Sequence, residues 1–267
     1  MQNGPYLLFF VSLILLVTGW LYARKRGVLR AKLEQPFPEN WRNILEKRVF
    51  FYAQLDDSDK QLFEKRATLF LATKEIKPIE TDIDDTIRVL VAASAIIPTF
   101  AFPAYNYPQV GTILIYPGSF DDQFQTKKYE GHKQFIVGLV GNDSLKGLVI
   151  LSKPDLISAF DGQPHQENVG VHEFVHLLDK EDGAIDGIPA LLLEHQYVGS
   201  WLHEIKNEIK RIESGHSDIN PYALTNNAEF LAVVSEYFFT NPAMFERKHP
   251  DLYQYLADIF KVEKTDA

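Results

Sequence analysis

A chain of 267 residues, 46% hydrophobic and 24% charged, has the makeup of a folded protein and the length for one sizeable core. Its 27 basic and 36 acidic residues give a net charge of −9, which argues against direct binding to nucleic acid. It has no cysteine, so disulfides, thiolate-held zinc, iron–sulfur clusters and a thiol nucleophile are excluded, and any metal must be held by His, Asp or Glu.

Residues 1–23 carry no charged side chain, and from Tyr6 to Ala23 only Ser12, Thr18 and Gly19 interrupt an apolar run. As a helix this run is roughly 27 Å long, close to the hydrocarbon thickness of a bilayer. Trp20 and Tyr22 stand at one end, and Arg24, Lys25, Arg26, Arg30 and Lys32 follow. The pattern predicts one transmembrane helix over residues 6–23 of a single-pass inner (cytoplasmic) membrane protein, with the later residues in the cytoplasm. A cleaved signal peptide fits less well, because a basic cluster stands where the cleavage site would be. Residues 1–33 therefore read as anchor and basic juxtamembrane segment, and residues 34–267 as the working domain.

Glu34 to Glu39, with two prolines, reads as a linker. Amphipathic helices are expected at Trp41–Tyr52 and at Ser58–Ala72, the second capped by Ser58. Thr81–Ile97 opens with Asp82, Asp84 and Asp85, as a helix dipole favours, and then turns apolar up to Pro98. Strands are expected at Gly111–Tyr116, Gln134–Val140 and Gly147–Ser152, the last two forming a hairpin across Gly141–Ser144. Either Gly111–Tyr116 or Gly147–Ser152 is a candidate edge for an extended peptide. Helices then return at Asn168–Glu181, Pro189–Ser214, Asn226–Phe239 and Pro250–Lys261. The sum is an α+β fold, mostly helical, with a small sheet.

His172, Glu173 and His176 form H-E-x-x-H within VHEFVHLLD. On a helix, residues four apart share a face one turn from each other, so both imidazoles reach one Zn²⁺. Glu173, offset to the side, is placed as general base for water. The apolar neighbours Val171, Phe174, Val175, Leu177 and Leu178 bury this polar group, which a metal would satisfy. A third ligand is needed, and Asn226–Phe239 is apolar nearly all round except for Glu229 and Glu236, seven apart on one face. Spacing alone does not say which of the two is the ligand and which the outer partner. Asp179, on the face of the histidines, is a candidate acceptor for the free N–H of a ligating ring. His132, His165, His195, His203, His216 and His249 lack ligand spacing and read as surface or capped residues. Tyr105, Tyr107 and Tyr116 read as core more readily than as cleft.

HEFVHLLD followed by AEFLAVVSEYFF resembles the Mlc titration factor A family of zinc peptidases and, more remotely, the catalytic domain of anthrax lethal factor. The resemblance covers most of the chain after residue 33, including GLVILSKPDL before the metal helix and the D-G stretch Asp182–Gly187 after it. It implies a zincin-like metallopeptidase with one Zn²⁺, Glu229 as third ligand, and Tyr222 in NPYALTNNAE as the electrophile facing the oxyanion. It further implies hydrolysis of peptides or proteins, with aminopeptidase-like action on small substrates. An alternative it raises is sequestration of a transcriptional repressor at the membrane. The presence of Glu173 and Tyr222 favours the enzyme, since a structural zinc site needs neither.

Overall fold

The computed structural model describes residues 4–120, 138–140, 147–161, 167–189, 192–193 and 195–262. Four helices come first: α1 (Gly4–Leu33), α2 (Glu39–Arg48), the single turn α3 (Phe50–Ala53) and α4 (Asp57–Thr73). The expected helix over Trp41–Tyr52 is broken at Val49, which is extended (φ −102°, ψ 93°) and buried. Asp56 rather than Ser58 caps α4, its carboxylate accepting the Asp59 N–H at 2.8 Å.

No helix among the described residues is long and apolar enough to cross a membrane, so they give no support to the spanning helix expected at residues 6–23. The side chains of residues 1–9 and of Ser12 lie outside the described residues. From residue 13 onward, every eighteen-residue stretch of α1 takes in Arg24, Lys25 and Arg26. The last turns of α1 contact α4, with Leu29 and Leu33 half-buried.

The sheet is built from β1 (Glu75–Pro78), β2 (Thr112–Tyr116), β3 (Gly138–Val140) and β4 (Leu148–Ser152) in the order β1-β2-β4-β3. β1, β2 and β4 run parallel, with Ile113 opposite Val149 and Ile115 opposite Leu151. β3 runs antiparallel to β4, Leu139 facing Ile150, as the expected hairpin requires. Its turn and residues 134–137 lie outside the described residues. The strands expected as peptide-accepting edges, β2 and β4, are interior, and among the described residues the edges are β1 and β3. β1 was not legible in the sequence: it is four residues long and buries only Ile76.

Between β1 and β2 lies α5 (Asp85–Ile96), capped by Asp84 and almost wholly buried. After β4 come α6 (Lys153–Ser158), α7 (Val169–Asp179), α8 (Val198–Glu213), α9 (Asn227–Thr240), α10 (Pro242–Lys248) and α11 (Pro250–Phe260). The helix expected over Pro189–Ser214 occupies only its second part. α10 was missed because only seven residues separate its Asn241 cap from His249. α7 packs between α5 and α9, and one continuous core joins Leu90, Ile113, Leu151, Phe174 and Phe230. At the α5–α7 contact, a Cβ on Gly170 would overlap Ser94 Oγ, so only glycine allows that approach. On the other face of the sheet, Tyr116, Phe120 and Ile150 form a small second cluster. Tyr107 and Tyr116 are buried as core residues.

Candidate metal centre

Two helices bring the site together. Asn168 caps α7, its Oδ1 accepting the Val171 N–H at 3.0 Å, so the helix starts one turn before His172. Asn226 caps α9 the same way, its Oδ1 accepting the Glu229 N–H at 2.9 Å. Glu229 therefore sits in the first turn of α9, where the helix dipole favours a carboxylate. The packing of α7 against α9 then sets the two polar faces opposite each other.

His172 Nε2 lies 3.1 Å from His176 Nε2 and 3.0 Å from Glu229 Oε2, and His176 Nε2 lies 3.4 Å from the same oxygen. Ligands bonded to one tetrahedral ion at roughly 2.0–2.1 Å stand about 3.3 Å apart. The three atoms thus form one face of a tetrahedron of the size a divalent metal needs, and His172, His176 and Glu229 are the cluster among the described residues able to hold one. Two imidazole nitrogens aimed at one point need a proton or a cation between them, and the nearby carboxylates favour positive charge there. The donor set fits a metal ion.

The two acids of α9 divide the work. Glu229 contributes an oxygen to the triangle, while Glu236 stands behind it: its Oε1 accepts from His172 Nδ1 at 2.5 Å and its Oε2 accepts the Asn168 N–H. That bond presents His172 Nε2 toward the triangle. Burial pushes the Glu229 carboxyl up, but the hydrogen bonds and charges of His172 and His176 prevail and hold it down at about 2. Burial pushes the His172 imidazolium down, and Glu236 and Glu229 raise it well above its ordinary value.

Glu173 is buried beside the triangle, and burial raises its carboxyl pKa. Residue 138 must be glycine for β3 to lie on it: a Cβ there would come 2.5 Å from Glu173 Oε1. Tyr222 sits in a helical turn (Pro221–Leu224) begun by Asn220, whose Oδ1 accepts the Tyr222 N–H at 2.9 Å. Its ring centroid is 6.1 Å from that of His172, it is 43% exposed, and burial together with Glu229 and Glu173 keeps its phenol protonated.

Asp179 is fully buried but is not the hydrogen-bond partner expected for a ligating ring. Its Oδ2 accepts the Gly187 N–H at 2.9 Å, and among the described residues neither its Oδ1 nor His176 Nδ1 has a hydrogen-bond partner. The chain turns back after α7 and brings a backbone N–H to one oxygen of the acid.

A cleft of about 730 Å³ opens over the triangle. Gly138, Leu139 and Val140 of β3 line one side, Ile185 and Asp186 another, and Tyr222 and Asn226–Glu229 the rest. Sequence reasoning missed β3 and Ile185–Asp186 as walls. The glycine at 138 and the D-G stretch were the available signals. It also misjudged His249, which is buried, with Nδ1 3.2 Å from Glu208 Oε1 and Nε2 2.8 Å from Asp218 Oδ1. His203 and His216 are exposed as expected, and the side chains of His132, His165 and His195 lie outside the described residues.

The family model described as glucose-regulated metallo-peptidase M90 matches residues 21–261. The chain is 30% identical over 258 residues to the uncharacterized protein slr2042 of Synechocystis, covering 91% of this chain and 90% of that one. It is 30% identical over 213 residues to Mlc titration factor A of Cronobacter sakazakii (76% and 78% covered). To Mlc titration factor A of Escherichia fergusonii it is 28% identical over 232 residues (83% and 85% covered).

Proposed function

The chain belongs to the glucose-regulated metallo-peptidase family M90, and on that footing we propose that it is a zinc-dependent peptidase whose ion is held by His172, His176 and Glu229. The observation that carries this reading is the convergence of two Nε2 atoms and one carboxylate oxygen to within 3.4 Å at the floor of a cleft. A nitrogen-and-oxygen set without cysteine suits zinc. A divalent ion there lowers the pKa of water toward neutrality and polarises a carbonyl.

The chain's own groups do the rest. Glu173, with its pKa raised by burial, takes the proton of the attacking water and delivers it to the leaving amine. Tyr222, protonated and facing the cleft, donates a hydrogen bond to the carbonyl oxygen as it gains charge, a contribution of about 3 kcal/mol at the transition state. Glu236 holds His172 in the orientation that presents Nε2. Among the described residues β3 is the sheet edge beside Glu173, where an extended peptide can add as a strand. Small peptides, cut in an aminopeptidase-like manner, are the substrates proposed.

The test uses the full chain in detergent with a peptidyl p-nitroanilide. Chelation abolishes hydrolysis and zinc restores it. Glu173→Gln keeps its metal and loses about 10²-fold or more in kcat. Equal activity in Glu173→Gln refutes the reading.

The location we propose is the inner membrane, with α1 as anchor through residues 6–23 and the peptidase in the cytoplasm. Ile14, Leu15, Leu16 and Leu21 are exposed on α1, and the basic cluster at 24–32 follows them. Flotation with liposomes, lost on deleting residues 4–33, supports this, and a C-terminal reporter that reads as periplasmic overturns it. The name Mlc titration factor A supports a second reading, in which this chain binds a transcriptional repressor. Capture of such a repressor by Glu173→Gln as well as by the wild type separates binding from hydrolysis.

A further inference from the structure

The D-G stretch after the metal helix ends at Gly187, whose peptide is held on three sides. Its N–H donates to Asp179 Oδ2 at 2.9 Å, three residues past His176 on α7. Its carbonyl accepts from Trp201 Nε1 of α8 at 2.7 Å. Its Cα faces Asn227, the first residue of α9: a Cβ there would stand 2.6 Å from Asn227 C and 2.8 Å from Asn227 Cβ, and closer still to its carbonyl oxygen. With φ at +78°, the position also suits glycine for its backbone. Trp201 is fully buried, and its ring lies 6.2 Å from that of Phe230, the neighbour of Glu229.

We propose that the Gly187 peptide, clamped by Asp179 and Trp201 and seated on Asn227, is a positioning wedge that sets the separation of His176 from Glu229 and thereby the metal affinity. This rests on the reading that His172, His176 and Glu229 hold an ion. One ligand pair comes from α7 and the third ligand from α9, and the wedge touches the end of the first helix and the start of the second. Any side chain at 187 drives the first turn of α9 away from α7. Metal ligands tolerate errors of only about 0.2 Å, so a shift of that turn is read out as lost affinity before it is read out as unfolding. The same wedge holds Ile185 and Asp186, which form the cleft wall.

The experiment titrates the metal-stripped full chain with Co²⁺ and follows the cobalt absorption bands, alongside urea unfolding of the metal-free protein. Trp201→Phe keeps a ring against Phe230 and removes the indole donor together with the five-membered ring, so its urea stability is read beside that of the control; Gly187→Ala removes the close approach. The expected result is a loss of about 10-fold in Co²⁺ affinity for Trp201→Phe and about 100-fold for Gly187→Ala, the range seen when groups behind metal ligands are removed. The control, Leu45→Ala in the remote α2 core, lowers stability and leaves Co²⁺ affinity unchanged. If Gly187→Ala does not fold, Trp201→Phe decides. Wild-type affinity in Trp201→Phe overturns the proposal, as does an equal affinity loss in the control. If the wild type takes up no Co²⁺, the three-ligand reading falls and the wedge with it.

Discussion

Gly138→Ala puts one methyl group between β3 and the general base proposed here. Its Cβ would lie 2.5 Å from Glu173 Oε1, 2.7 Å from Glu173 Cγ and 2.7 Å from Val169 Cγ2, where ordinary contacts are 3.4–4 Å. Relief requires a movement of roughly 1 Å, either of β3 outward or of the Glu173 carboxylate sideways. Among the described residues β3 is an edge strand of three residues that pairs with β4 alone, so it has little to resist the push. Overpacking of this kind costs about 1–3 kcal/mol in stability. The larger effect is on chemistry: a reacting group misplaced by about 1 Å loses on the order of 10²-fold, or about 2.7 kcal/mol in the barrier. Because His172, His176 and Glu229 are not touched, metal content stays at the wild-type level. The assay is kcat for a peptidyl p-nitroanilide, with metal analysis and thermal melting on the same samples. A variant that keeps its metal and stays within twofold of wild-type kcat would refute the seating of β3 on Glu173 or the role of Glu173 as base.

Three further outcomes are expected. Glu236→Gln weakens the acceptor behind His172 and lowers metal affinity by about 10–100-fold, whereas Glu229→Gln removes the proposed third ligand and leaves the dialysed protein without stoichiometric metal; metal analysis after dialysis ranks the two, and a reversed ranking exchanges their roles. His249→Gln leaves the buried Glu208 carboxylate to Arg211 and Ser217 and removes the charged partner it shares with Asp218, which costs about 1.5–3 kcal/mol in urea unfolding. Burial pushes His249 down, but the hydrogen bonds and charges of Glu208 and Asp218 outweigh it, so its folded pKa is raised. Its stabilisation is therefore full below the unfolded value of about 6.5 and is lost as pH rises through the folded value. Asp218, lowered by Lys248, His249 and Tyr237 against its own burial, keeps its share above the unfolded carboxylate range and loses it only in acid. The gap between wild type and His249→Gln accordingly narrows from pH 6 to pH 9, and a gap that does not change with pH contradicts this account. Gly170→Ala forces α5 and α7 apart at Ser94 and lowers the melting temperature together with metal content, and a variant matching the wild type in both refutes that packing.

The sequence by itself determined the local chemistry. H-E-x-x-H on an apolar helix fixes two imidazoles and a carboxylate within two turns, because helical geometry depends only on spacing. The absence of cysteine fixes the donor type. The seven-residue spacing of Glu229 and Glu236 on an otherwise apolar helix puts two acids on one face, and the family resemblance points to Glu229 as the ligand; that Glu229 approaches both Nε2 atoms while Glu236 takes His172 Nδ1 depends on how α7 and α9 pack. The same limit explains the sheet: the hairpin of β3 with β4 was legible because its partners are close in the chain, whereas the parallel pairing of β2 with β1 and β4 joins partners far along it, so which strands lie inside the sheet was not. Asp179 shows the contrast most directly. Its place on the histidine face follows from the helix repeat, while its partner is a peptide N–H eight residues on, brought there by a glycine with positive φ and an indole from another helix. Spacing within a helix is a short-range property of the chain, and the meeting of helices is set by what the core as a whole can pack.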